Sequence, residues 1–280
     1  MAFDNRAHGQ PLSWFGPLPC LLMPVALSRL LFVLLCLLLS FRVAADPDDA
    51  PTLALGAGVQ RMPSWAGART HRSDPIPFVD IELPQYGFSL STEDGLQYDL
   101  IRDPHLHGGV YGDFQWGRDH DDLGALAGRI PTLAPRATGG GYLEWDFTKQ
   151  LDAGLRLSHD INGAGAYLEF YGEWDPPKLG LVEQSLQLRW QSMNGAAMRR
   201  FFGVTPASAQ ALDVPAWQPG GGSQLVTLEY DLFLPTSKRT GLAASLEYGY
   251  LLGDAAASPL VRQYGSRNQF TESLAFVYHF

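Results

Sequence analysis

Carboxylate side chains are the groups in this sequence best suited to chemistry, and they recur at alternate positions along several segments. Because successive side chains of a β-strand point to opposite faces, alternate carboxylates share one face of a strand. The acids on the less apolar face of these segments are Asp99, Asp113, Glu144, Asp146, Asp152, Glu169, Glu173, Glu183, Glu229, Asp231 and Glu247. The bases expected on that face are Arg156 and Arg189. Such an excess of negative charge would attract cations or protons.

This acidic face admits two interpretations. One is the lining of a cation-favouring pore, or of a pocket for a cationic solute. The other is a polar, hydrated filling of a barrel, in which arginines from the loops fold inward as partners of the acids. The sequence leaves both interpretations open.

Two other groups of residues have types that could bind a metal or catalyse a reaction. Arg118–Asp122 contains three aspartates and a histidine, but side chains this close in sequence cannot all converge on one ion, so we expect an external loop. His105 and His107 are expected in a turn. Residues 158–160 are Ser-His-Asp, and adjacent side chains on a strand point apart, so they cannot form a catalytic triad. We therefore predict no catalytic, cofactor-binding or metal-binding residue, with a site assembled from distant strands as the alternative.

The elements that must position these side chains are β-strands. In the last segment, Asn268–Phe280, alternate residues from Phe270 onward are aromatic or leucine except for Glu272, and the residues between them are mostly small or polar. The same period of two recurs near residues 110–116, 142–147, 151–158, 167–174, 185–191, 226–234 and 242–250. A soluble β-sandwich would also alternate, but the apolar faces here end in Tyr, Trp or Phe, as expected at the two interfaces of a membrane.

The lengths of the connections predict the same fold. Short turns are expected at 148–150, 175–177 and 235–238, and long loops at 61–75, 118–137, 192–222 and 252–267. Outer-membrane barrels alternate short periplasmic turns with long external loops in this way. We therefore predict an all-β fold, a transmembrane antiparallel β-barrel of about 12 strands, or about 10 if residues 76–101 form fewer. The remaining strands of this count are expected at 52–60, 76–83, 85–92 and 95–101.

The N-terminus predicts export. Residues 27–41 are an apolar core of signal-peptide length, and a small-residue cleavage site ends at Ala45. We expect residues 1–45 to be a signal peptide, with Met23 as a possible true start, and residues 46–280 to be one barrel domain in a Gram-negative outer membrane. Both cysteines lie in the removed part, so no disulfide is expected. The formal net charge of −9 disfavours nucleic acid as a partner.

Two loop motifs go beyond general barrel patterning. Phe201–Gln210 reads FFGVTPASAQ, in which Thr205 is expected to cap a short helix that begins at Pro206. Leu251–Val261 reads LLGDAAASPLV and is followed by GSRNQ. In order and in distance from the C-terminus, these motifs resemble the MipA/OmpV family of outer-membrane proteins. One departure is the 61–75 loop, which lacks the family's usual pattern and leaves any role of that loop in doubt.

The resemblance implies a function and a set of partners. Members of this family include the MltA-interacting protein, a scaffold that holds a lytic transglycosylase near a murein synthase, and other members are connected with adhesion and with permeability to antibiotics. The family has no accepted catalytic residues, so the expected function is a non-enzymatic scaffold that also contacts outer-membrane lipid and lipopolysaccharide. A narrow cation-favouring pore or solute transporter is the first alternative, and a lipid-modifying enzyme is the second.

Overall fold

The computed structural model describes residues 51–280 as a closed antiparallel barrel of twelve strands. The strands are β1 (Thr52–Pro63), β2 (His71–Leu83), β3 (Phe88–Ser91), β4 (Gly95–Asp103), β5 (Leu106–Gln115), β6 (Arg136–Thr148), β7 (Leu151–Asp160), β8 (Ala166–Trp174), β9 (Glu183–Met193), β10 (Gly222–Pro235), β11 (Thr240–Leu251) and β12 (Asn268–His279). The predicted fold class and strand number are confirmed. The expected signal peptide, the start at Met23 and the cleavage after Ala45 lie outside the described residues.

The barrel closes between its first and last strands. Residues Ala54–Arg61 of β1 pair with Glu272–His279 of β12 in one uninterrupted register. This register leaves neither strand as an open edge, which a membrane barrel requires because unpaired backbone groups are costly in lipid.

The two ends of the barrel differ in their connections. Connections 84–87, 104–105, 149–150, 175–182 and 236–239 lie at one end, called here the short-turn end. The other end, called here the long-loop end, carries the connections 64–70, 116–135, 161–165, 194–221 and 252–267. The connection 92–94 faces the same end but lies inside the barrel, because β3 is short. The loop expected at 61–75 was too long, because β1 continues to Pro63 and β2 begins at His71. The turn expected at 175–177 was too short, because β9 begins only at Glu183.

The outer surface of the barrel is an apolar belt. In β12, Phe276 is 53% exposed on the outside, whereas its neighbour Val277 is 0% exposed on the inside. Large apolar side chains of the other strands are exposed in the same way, among them Val110, Phe114, Leu143, Trp145, Phe170, Trp174, Leu188, Leu228 and Leu246. The predicted apolar faces therefore point away from the lumen. Among residues 51–280, no helix is both long enough and apolar enough to cross a membrane.

Four loops at the long-loop end pack together into a structure that we call the cap (residues 64–70, 116–135, 194–221 and 252–267). The cap contains helices α1 (His120–Leu123), α2 (Gly195–Phe202), α3 (Pro206–Leu212), α4 (Gly253–Ala257) and α5 (Pro259–Tyr264). Thr205 caps α3 as predicted, since its side chain accepts a hydrogen bond from the Ser208 amide and Pro206 occupies the first turn.

The long-loop end has a hydrophobic core of its own, formed mainly by cap residues. The buried members of this core are Trp65, Ala68, Leu123, Leu126, Ile130, Met193, Ala197, Met198, Phe201, Phe202, Val204, Leu212, Val214, Leu251, Ala255, Ala256, Leu260 and Val261. Arg118 anchors the 116–135 loop to this core by donating a hydrogen bond from Nη1 to the Phe201 carbonyl at 3.0 Å. Burial, with Arg200 nearby, lowers the pKa of Arg118 to about 10.

Candidate functional site in the barrel lumen

The half of the lumen near the short-turn end contains an acidic cavity of about 370 Å³. Its lining residues are Asp80, Glu82, Ser89, Ser91, Asp94, Gln97, Asp99, His107, Tyr142, Glu144, Asp152, Arg156, Tyr171 and Glu173. Tyr142 donates a hydrogen bond to Asp99, and Tyr171 donates one to Glu144. Arg156 is the cavity's only arginine or lysine, so the carboxylates dominate its electrostatic potential.

Arg156 separates this cavity from a second one of about 80 Å³ nearer the long-loop end, because it lines both. Its guanidinium group donates to Asp94 Oδ1 at 2.7 Å and to Glu169 Oε1 at 3.2 Å. Its central carbon lies 4.5 Å from the centre of the Tyr171 ring and 5.3 Å from that of Tyr111. These contacts build a polar layer across the middle of the lumen.

The acids identified from the sequence occupy several parts of the lumen. Asp99, Glu144, Asp152 and Glu173 line the acidic cavity. Asp113 and Glu169 line the smaller cavity. Glu229 and Glu247 both contact Arg189, and Asp231 lies beside Glu229. Near the short-turn end, Asp146 contacts His107 and Glu183 contacts Lys178.

The structure adds acids that the sequence pattern did not single out. Asp80 and Glu82 lie on the lumen face of β2, whose alternation is obscured by Pro75 and Pro77. Glu93 and Asp94 lie in the β3–β4 turn, which folds into the lumen because β3 is only 4 residues long. The sequence did contain a signal for this turn: the four alternating residues Phe88–Ser91 are followed by an acidic segment, Glu93 and Asp94.

The prediction that His107 lies in a turn was wrong. His107 belongs to β5, and its Nε2 atom lies 3.1 Å from Asp146 Oδ2 and its Nδ1 atom 3.7 Å from Asp99 Oδ2. The strand begins earlier than expected, since Leu106 pairs with Trp145 of β6. His107 therefore lies between two carboxylates at the mouth of the acidic cavity.

The lumen is closed at the long-loop end and open at the short-turn end. Lumen-facing residues beneath the cap are almost completely buried, as shown by Thr138 at 2% exposure and Gln224 at 4%. At the short-turn end, by contrast, the side chain of the cavity-lining residue His107 is 34% exposed and that of its partner Asp146 is 32% exposed. The acidic cavity is therefore accessible to solvent from the short-turn end.

The aspartates of the 119–122 segment stabilise the cap loop. Asp119 accepts hydrogen bonds from the Asp121 and Asp122 amides, and Asp122 accepts one in return from the Asp119 amide. These backbone hydrogen bonds lower the pKa of Asp119. Asp122 also accepts two hydrogen bonds of 2.8 Å from Arg72 on β2. The segment thus caps α1 and ties the loop to the barrel wall.

The chain matches the family model described as MltA-interacting protein MipA over residues 55–280. The chain belongs to the MipA family. This MipA-family protein is an outer-membrane β-barrel, and lipid contact at its apolar belt follows from that location. Because outer-membrane barrels carry their short turns on the periplasmic side and their long loops outside, the acidic cavity faces the periplasm.

Solved structures with a similar fold include outer-membrane channels and porins. An outer-membrane channel from Pseudomonas putida F1 is 10% identical, with a TM-score of 0.40 and coverage of 85% of this chain and 100% of that chain. The NanC porin is 9% identical, with a TM-score of 0.36 and coverage of 81% and 98%. OprG from Pseudomonas aeruginosa is 8% identical, with a TM-score of 0.23 and coverage of 83% and 97%. No curated protein sequence matches the chain significantly.

Proposed function

We propose that this protein is a non-enzymatic scaffold of the outer membrane, which holds a murein-remodelling enzyme at its periplasmic end. The partners expected from the family are a lytic transglycosylase and, through it, a murein synthase. The observation that carries the proposal is the closure of the barrel by the cap, together with the opening of its lumen towards the periplasm. A barrel of this form is better suited to binding at its periplasmic end than to passing solutes through the membrane.

The longest periplasmic turn supports the proposal. Residues 175–182 carry Leu179 at 66% exposure and Leu181 at 71% exposure. Two exposed leucines on one short turn are a suitable anchor for a protein partner, because burying such side chains in an interface supplies much of its free energy. The acidic mouth beside this turn would favour a partner with a basic surface.

The test is a pull-down of a purified lytic transglycosylase of the MltA type by this protein in mild detergent. Changing Leu181→Ser and Leu179→Ser together is expected to weaken binding by a factor of at least about 10, because each lost leucine contact is worth roughly 1.5–3 kcal/mol. The matched control is Ile161→Ser, which removes an aliphatic side chain of 66% exposure from an external loop and should leave binding unchanged.

Two outcomes would contradict the scaffold proposal. One is failure of the wild-type barrel to retain any lytic transglycosylase in the pull-down. The other is an equal loss of binding in the Ile161→Ser control and in the double leucine variant, because the effect would then not depend on the periplasmic turn.

The acidity of the lumen favours a second candidate function, a narrow cation-favouring pore. Ions would have to pass both the Arg156 layer and the cap. The scaffold proposal therefore predicts no steady conductance in planar bilayers. Sustained cation-selective conductance of the wild-type protein would favour the pore instead.

A further inference from the structure

The β3–β4 turn reaches across the lumen to the opposite wall. In the ring of strands, β10 lies on the far side from β3 and β4. Even so, a carboxylate oxygen of Glu93 in the turn lies within 4.8 Å of carboxylate oxygens of both Glu229 and Asp231 on β10. The adjacent Asp94 is held by Arg156 of β7. The turn thus crosses the lumen, and acidic side chains lie where it approaches β10.

The spacing of these three carboxylates fits one shared ion. Calcium binds oxygen ligands at about 2.3–2.6 Å, so two oxygens on the same ion can be separated by at most about twice that distance. Carboxylate oxygens of Glu93, Glu229 and Asp231 all lie within 4.8 Å of one another, which satisfies this condition. Three carboxylates this close would otherwise repel one another.

A buried oxygen beside Glu229 lacks a hydrogen-bond partner among the described residues. Gln187 pairs directly with Glu229 across the β9–β10 ladder and is 3% exposed. Its Nε2 donates a hydrogen bond to Glu173, while its Oε1 accepts none. Since buried polar atoms are nearly always satisfied, this oxygen is available to a ligand beside Glu229.

The neighbouring arginine does not neutralise the group. Arg189 contacts Glu229 and also lies 3.2 Å from Glu247, so one guanidinium is shared between two carboxylates. Within residues 51–280, neither Glu93 nor Asp231 forms a salt bridge with a basic side chain. The local excess of negative charge therefore remains for a cation.

We propose that Glu93, Glu229 and Asp231 bind a hard divalent cation, with Ca²⁺ as the preferred ion, and that the ion ties the β3–β4 turn to the opposite wall. Oxygen ligands from carboxylates and an amide are among those that Ca²⁺ takes. Calcium tolerates irregular geometry better than Mg²⁺, which suits ligands supplied partly by a turn. Glu93 is exposed to the lumen, so an ion can reach the site from the periplasm.

The test is calorimetric titration of CaCl₂ into the barrel purified from outer membranes and freed of metal by a chelator. The wild-type protein should bind one ion saturably, with a dissociation constant on the order of 10⁻⁴–10⁻³ M, as extracellular calcium modules do. Glu93→Gln should weaken binding by a factor of at least about 10, as expected when one of three carboxylate ligands is lost. Asp231→Asn should do the same and serves as the second variant if Glu93→Gln fails to fold.

The controls are Asp152→Asn, which removes an acid of the acidic cavity that is not one of the three proposed ligands, and Glu272→Gln, which removes a rim acid paired with Arg61. Both should keep the wild-type affinity, and CaCl₂ should raise the melting temperature of these variants but not that of Glu93→Gln. Absence of saturable binding in the wild type would overturn the proposal. Equal affinity in Glu93→Gln and Asp152→Asn would overturn it too.

Discussion

Replacing Arg156 by methionine is expected to lower the free energy of unfolding by roughly 3–5 kcal/mol, the cost of breaking a buried ion pair by removing one partner. The Arg156 side chain is only 7% exposed, contacts Asp94 and Glu169, and packs against two tyrosine rings. Without it, two carboxylates would remain in the lumen with no cation between them. The free energy is measured from urea unfolding of the barrel in lipid vesicles.

Two comparisons separate this effect from a general sensitivity to mutation. Arg61→Met breaks a salt bridge whose side chains are 50% and 42% exposed, so it should cost no more than about 1 kcal/mol. Adding Asp94→Asn and Glu169→Gln to Arg156→Met removes the uncompensated charges, so the triple variant should recover most of the lost stability. A triple variant less stable than Arg156→Met would contradict this account of the layer.

Replacing Phe202 by alanine is expected to destabilise the cap by roughly 3–5 kcal/mol, as for other large aromatic side chains removed from a packed core. Phe202 is 0% exposed, and its carbonyl accepts a hydrogen bond of 2.7 Å from the buried Ser258 hydroxyl. It therefore joins the 194–221 loop to the 252–267 loop. Among the buried members of this core, only Met193 and Leu251 belong to strands, each at a strand end, so the barrel itself should still form.

The measurement is digestion of intact cells by an external protease. Under protease conditions in which the wild type stays intact, the Phe202→Ala variant should be cut within residues 194–221, while its strands stay protected. Ile161→Ala, in an exposed external loop, should leave the digestion pattern unchanged. Equal resistance of Phe202→Ala and the wild type would show that Phe202 does not hold the cap together.

Period-two alternation was sufficient to predict the wall of the barrel. In β12, the alternation from Phe270 to Phe280 assigns one face to lipid and the other to the lumen, and the structure shows Phe276 outside and Val277 inside. The pattern works because each strand of a membrane barrel has one face in lipid, which fixes its register. The same argument placed the lumen arginines Arg156 and Arg189 correctly.

Alternation could not predict what meets across the lumen. That Glu93 of the β3–β4 turn lies beside Asp231 of β10 depends on how far the turn folds inward, which no local period encodes. The packing of the cap could not be predicted from alternation either, since its core contains residues as distant in sequence as Trp65 and Val261. On β2, prolines and charged residues broke the pattern, so Asp80 and Glu82 were missed.

The claim that the lumen opens only towards the periplasm is tested most directly by cysteine labelling. Residues 51–280 contain no cysteine, so the Gln97→Cys variant would place a single thiol on the wall of the acidic cavity in the described chain. The reagent is a maleimide on a linear polyethylene-glycol chain too long to pass general porins. Lys238→Cys in a periplasmic turn and Ala125→Cys in an external loop are the controls. We predict that Gln97→Cys, like Lys238→Cys, is labelled only after the outer membrane is permeabilised. Labelling of Gln97→Cys in intact cells, at the rate seen for Ala125→Cys, would contradict the account.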